Sequence, residues 1–92
     1  MAGPITIHRP VHLGNKMGAM GTFECETRRI RVQATLSRQV AIAVMLHEAV
    51  HAALYDAGLH FEEVNEEQLC DSVASAMMHL IRWAYDAGLE AE

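Results

Sequence analysis

The chain has no long hydrophobic run, few cysteines, few prolines and, past residue 38, almost no positive charge. Its longest unbroken apolar stretch, Val40 to Leu46, is seven residues, far short of the ~20 needed to cross a bilayer. The amino terminus has neither the basic nor the apolar stretch of a signal peptide. These absences point to a cytoplasmic protein with no membrane partner. Cys25 and Cys70 lie far apart with no C-x-x-C spacing, which argues against a disulfide framework; each reads as a small buried apolar residue. Two prolines and 51% hydrophobic residues argue against disorder. Ninety-two residues bury barely enough surface for one core, so residues 1–92 form a single domain.

Charge is unevenly spread. Residues 1–38 hold six Lys/Arg against two acids, a net +4, and residues 39–92 hold one, Arg82, against ten, a net −9. A net acidic domain argues against nucleic-acid binding, although Arg28, Arg29 and Arg31 make a local basic spot. That spot reads as a solvated strand face. Six histidines are the compositional oddity.

The first third alternates as strands do, over about residues 4–36. Ile5 and Ile7 alternate with Thr6 and His8, and Pro10 places that strand at a sheet edge. A glycine-rich connection, 14–21, leads to Phe23 and Cys25, then to Ile30, Val32 and Ala34 on one face with Arg31 and Gln33 on the other. Two helices follow. Ser37 is an N-cap and Gly58 a C′ residue for a helix over about 37–57, apolar on all sides from Val40 to Leu46 and so covered on every face. Asn65 with Gln68 fits a capping box for a second helix over about 65–87, striped by Leu69, Cys70, Val73, Ala74, Met77, Ile81 and Ala84 and ended by Gly88. The ordering predicts an α+β fold: a small, mainly antiparallel N-terminal sheet packed on two helices.

The first helix contains His47-Glu48-Ala49-Val50-His51, an H-E-x-x-H motif. Histidines four apart share a helix face, so both imidazoles reach one metal ion, and zinc suits imidazole nitrogen. Glu48 stands beside the ion and can take a proton from water. The plainer alternative is a pair of core histidines satisfied by neighbours. A catalytic zinc needs a third protein ligand. An extended H-E-x-x-H-x-x-G-x-x-H pattern fails at Leu54 and Ala57. His60 is nine residues past His51. Glu67 is the stronger candidate, opening Glu67-x-x-x-Asp71 on the stripe of the second helix, with Asp71 placed to accept the N–H of a ligating histidine. Glu62, Glu63 and Glu66 read as helix N-terminal charges favoured by the macrodipole.

His47-Glu48-x-x-His51 followed by Glu67-x-x-x-Asp71 resembles the gluzincin form of zinc metallopeptidase. Over about residues 21–80 it is similar to the phage-associated ImmA/IrrE-like metallopeptidases, with Cys70 and Val73 standing where that family has Ala and Phe. The resemblance implies a minimal zincin-like fold and one Zn2+ per chain held by His47, His51 and Glu67. It also implies Glu48 as general base and a protein or peptide substrate, a repressor of a mobile element being one option. The helix-turn-helix of larger members is missing here, and self-association as a homodimer would cover the exposed side of the fold. His51-Ala52-Ala53-Leu54-Tyr55 is also similar to SprT-like metalloproteases, which would make His60 the third ligand.

The expected mechanism has Glu48 accept a proton from water and pass it to the leaving amine while the peptide lies extended along an edge strand at Phe23–Glu26 or the glycine-rich segment before it. Tyr55, His60, His79 and Tyr85 are open candidates for oxyanion or substrate contact. A catalytically silent zinc-binding adaptor is the competing class, and Glu48 argues against it, because a structural site needs no base.

Overall fold

Ile30 and Val32 carry the core. The structure, a computed structural model, describes residues 3–11 and 20–87; most of the glycine-rich connection, together with His12, Leu13 and Gly88, lies outside them. Three short strands, β1 (Thr6–His8), β2 (Gly21–Glu24) and β3 (Arg29–Val32), form one sheet in the order β1-β3-β2. β2 pairs antiparallel to β3, but β1 pairs parallel to it, so the sheet is mixed rather than mainly antiparallel. A parallel pairing needs a long crossover, and here the chain runs through β2 before it returns beside β1. β1 is an edge strand, as Pro10 requires.

Residues opposite one another share a face. Ile7, Ile30 and Phe23 are in register on one side, followed by Val32 with Gly21. The other side carries Thr6, Arg29, Glu24, His8, Arg31 and Thr22. Ile30 and Val32, 2% and 1% exposed, join buried Ala41, with Phe23, Leu36, Val44, Met45 and Ala49 packed around them.

The first helix, α1 (Arg38–Asp56), starts where Ser37 accepts the Val40 N–H and ends where expected. Gly58 adopts φ +71°, its N–H donates to the Tyr55 carbonyl, and the Leu59 N–H reaches back to Leu54. This is a Schellman ending, in which glycine avoids the strain a Cβ would suffer. The second helix, α2 (Glu63–Asp86), begins two residues before Asn65. Its N-cap is Glu62, with no side-chain capping bond, so the capping box does not form. Glu63 and Glu66 occupy the first turn instead, where carboxylates complement the helix dipole.

α1 lies between β2 and β3 on one side and α2 on the other, and α2 packs on α1 alone among the described elements. The sheet therefore rests on one helix, not two, and the apolar stretch of α1 is not covered on every face as expected, since Val40 is exposed and with Ala43 and Val44 walls a cavity. His47 meets Asp71, and His51 meets Glu67, which makes the helices antiparallel and sets Ile81 opposite Ser37. α2, at 24 residues, outruns the 19 of α1, so its last turns project past the start of α1. Leu80, Ile81, Trp83 and Tyr85 there are more than half exposed. Among the described residues, no helix is long and apolar enough to cross a membrane.

Candidate metal centre

The helical repeat brings His47 and His51 onto the α2-facing side of α1, one turn apart, with ring centroids 4.9 Å from each other. α2 answers with Glu66, Glu67, Cys70 and Asp71. Glu67 bridges the pair: Oε1 lies 2.8 Å from His47 Nε2 and Oε2 2.9 Å from His51 Nε2. The two Nε2 atoms are 3.2 Å apart. On the outer side of each ring, Nδ1–H of His47 donates to Asp71 (2.7 Å) and Nδ1–H of His51 to Glu66 (2.5 Å).

Protons alone satisfy this arrangement badly. Ionised carboxylates only accept, so each histidine would have to be doubly protonated to donate at both ring nitrogens. The two cationic rings would then face each other, N–H against N–H, at 3.2 Å. A cation at the focus of the two Nε2 atoms and Glu67 removes the conflict. Both lone pairs point inward, while Asp71 and Glu66 fix the tautomers from outside. The spacing agrees, because donors bound tetrahedrally at 2.0–2.1 Å lie about 3.3 Å from one another, and those observed here are 2.8–3.2 Å apart. His47, His51 and Cys70 also form a group whose ligand atoms all lie within 4.8 Å of one another and that could hold a metal ion.

Electrostatics fit the same picture. Burial by itself lowers the His47 pKa, but hydrogen bonds to Glu67 and Asp71 and the charges of Glu48 and Glu67 outweigh it, and the net shift is upward. Burial raises Glu48 above the ordinary carboxylate value, partly offset by His51 and His47. Burial, aided by the charges of Glu66, Glu67, Glu48 and Asp71, pushes the Cys70 thiol up to about 11.

Glu48 packs against β2 at Gly21. A Cβ built on Gly21 would stand 2.4 Å from Val44 Cγ1 and 3.3 Å from Glu48 Cγ, so the edge strand crosses α1 at this point only because it has no side chain. Two of the cavities along β2 flank Glu48. One, of about 550 Å³, is walled by Met20, Val40, Ala43 and Val44 and reaches His47, Glu67 and Asp71. The other, of about 320 Å³, is bounded by Phe23, Cys25, His51, Tyr55 and Glu66. Glu48 lines both.

His47, Glu48, His51, Glu67 and Asp71 thus converge. Tyr55 stands next to them: it packs edge-on against Phe23, with ring centroids 6.1 Å apart, and lines the smaller cavity together with Glu48 and His51. The remaining candidates lie apart. His60 is exposed in the connection between the helices and lies outside the metal-capable group found among the described residues. His79 and Tyr85 sit 8 and 14 residues beyond Asp71, about 12 and 21 Å along α2. His79 lies beside Trp83 there instead, with ring centroids 6.2 Å apart and the planes tilted by 33°. That distance removes both from the site.

Two residues do more than the sequence indicates. Glu66 is a first-turn charge of α2, as expected, and its carboxylate also holds the second histidine. Cys70 is buried as expected (0% exposed), but beside the histidines rather than among plain apolar neighbours. The signal available for Glu66 was its position one residue before Glu67, which turns it toward the next turn of α1. Compared with known proteins, the chain matches no family model, no curated protein and no solved structure.

Proposed function

We propose that the chain is a zinc-dependent metallopeptidase of the gluzincin type. The observation that carries this reading is the focus of two Nε2 atoms and one carboxylate at 2.8–3.2 Å, with Glu48 at the junction of two cavities beside an exposed strand edge. His47, His51 and Glu67 would hold the ion; when bound, zinc supplies Lewis-acid polarisation of the peptide carbonyl and acidifies water.

The chain's own residues do the rest. The Met20 carbonyl accepts the Gln33 N–H, so along β2 the alternation turns Thr22 and Glu24 toward β3 and leaves the N–H and C=O groups of Gly21 and Phe23 facing outward. An extended peptide can pair with those groups as an added strand. Its side chains would then fall toward the apolar cavity on one side of Glu48 and the Phe23–Tyr55 cavity on the other. Glu48, raised by burial, takes a proton from the attacking water and delivers it to the leaving amine.

The test is zinc content alongside cleavage of an unstructured protein. Wild type should carry about one zinc per chain and cleave, and Glu48→Gln should keep the zinc and lose at least about a hundredfold in cleavage rate. A protein that binds no zinc after zinc is supplied would overturn the reading. Equal zinc without cleavage in wild type would favour the silent adaptor.

A further inference from the structure

We infer that Cys70 is a second-line ligand of this centre, positioned to take over the ion from Glu67, and that the site therefore accepts soft, thiophilic divalent cations. This rests on the metal reading above. Two distances set the order of the ligands. The Glu67 oxygens already stand at coordination spacing from both Nε2 atoms, 2.8 and 2.9 Å. The Cys70 sulfur lies within 4.8 Å of a ligand nitrogen of each histidine. Zinc–sulfur and zinc–nitrogen bonds of about 2.3 and 2.0 Å at a tetrahedral angle separate sulfur from nitrogen by about 3.5 Å, so the thiol is at most about 1.3 Å too far out.

Position on α2 explains why the two donors can exchange. Glu67 and Cys70 are three residues apart and share the face turned to α1. The Glu67 side chain is half exposed at the rim, whereas Cys70 is wholly buried beneath it. A rim carboxylate is the ligand that swings away, and a thiol below the ion is the one that stays. In the exchange a metal–oxygen bond breaks and a metal–sulfur bond forms. The thiol proton goes to solvent and no electrons are transferred. The donor set remains two neutral imidazoles and one anion. Thiolate donors select zinc, cobalt or cadmium over magnesium, calcium or manganese.

Cobalt(II) reports the ligand directly, because a thiolate bound to it adds a near-ultraviolet charge-transfer band that carboxylate and imidazole do not. Wild-type protein loaded with cobalt should lack the band. Glu67→Ala should retain cobalt and show it, and Glu67→Ala combined with Cys70→Ser should lose it. The double variant should bind zinc more than about a hundredfold more weakly than Glu67→Ala alone, beyond what outer hydrogen-bond partners cost. The decisive spectrum is that of Glu67→Ala, whose substituted residue is half exposed, so it does not depend on a core substitution folding. Cobalt bound to Glu67→Ala without the band would overturn the inference, as would a band already present in wild type, which would make Cys70 a resident ligand. Absence of any metal binding by wild type would remove the metal reading and this inference with it.

Discussion

The two halves of α2 have similar apolar periodicity and opposite fates. From Glu63 to Ala74 the helix lies against α1, and its inward side carries Glu66, Glu67, Cys70 and Asp71 around two histidines. The second half, from Ser75 to Asp86, passes the start of α1 only from about Ile81 onward, and Leu80, Ile81, Trp83 and Tyr85 face outward at 54–69% exposure. An apolar stripe reports what a helix is able to bury, whereas the length and register of its partner decide what it does bury. Glu66, Glu67 and Asp71 are tolerated on the side turned to α1 because each has a histidine counterpart there and keeps part of its surface in water.

The sharpest way to test that contrast is the same charge placed in each half. Ala74→Glu, at a position 5% exposed, should cost more than about 3 kcal/mol in denaturant unfolding, since a buried charge without a partner is left behind. Next in size, Asp71→Asn and Glu66→Gln should each weaken zinc binding 10- to 100-fold, as losses of a histidine's outer partner do. Glu66 should stand at the upper end, because its side chain is 25% exposed against 76% for Asp71, and solvent screens the more exposed pair. A competition titration reads both. Smallest of all, Ile81→Glu should move stability by no more than about 0.5 kcal/mol. A cost there as large as that of Ala74→Glu would mean that the projecting turns are covered in solution.

The anchored half also predicts a pH response that reverses with metal. His47 is raised above 6.5 and Glu48 above 4.5, so the folded metal-free chain holds more protons than the unfolded one in the windows just above those values. The stability each contributes is complete below its unfolded value and is lost as pH rises through its folded one. Melting temperature in chelator should therefore fall as pH climbs from 4.5, and again from 6.5. With zinc present the trend should run the other way near neutrality, because the histidines have to shed protons to bind.

Much of this was legible from residue types alone. Ser37 and Gly58 bracket α1 because capping and left-handed backbone are local demands, and Ile30 and Val32 face inward because a strand alternates. The H-E-x-x-H spacing places two imidazoles together on any helix. What escaped the sequence depends on how elements meet. The parallel pairing of β1 is decided by the path of the chain across the sheet. The start of α2 at Glu63, with Glu62 as its N-cap, is not what the Asn65–Gln68 pattern indicates, although Glu63 and Glu66 are the N-terminal charges expected. Periodicity assigned Cys70 to the correct face, but only the antiparallel register of the helices sets its sulfur beside His47 and His51.

Gly21 has a consequence for anyone wishing to alter this protein. Thr22 and Glu24 face away from α1, while Gly21 and Phe23 face toward it. A saturation library across β2 should therefore return a comb of permissive and forbidden positions, read by the fraction of variants that still fold and bind zinc. Thr22 and Glu24 should admit most residues, Phe23 a few large apolar ones, and Gly21 none, since even alanine's methyl would press on Val44 and on the proposed base. Efforts to retune selectivity would do better to vary the far wall, Val40 and Ala43, than the strand itself.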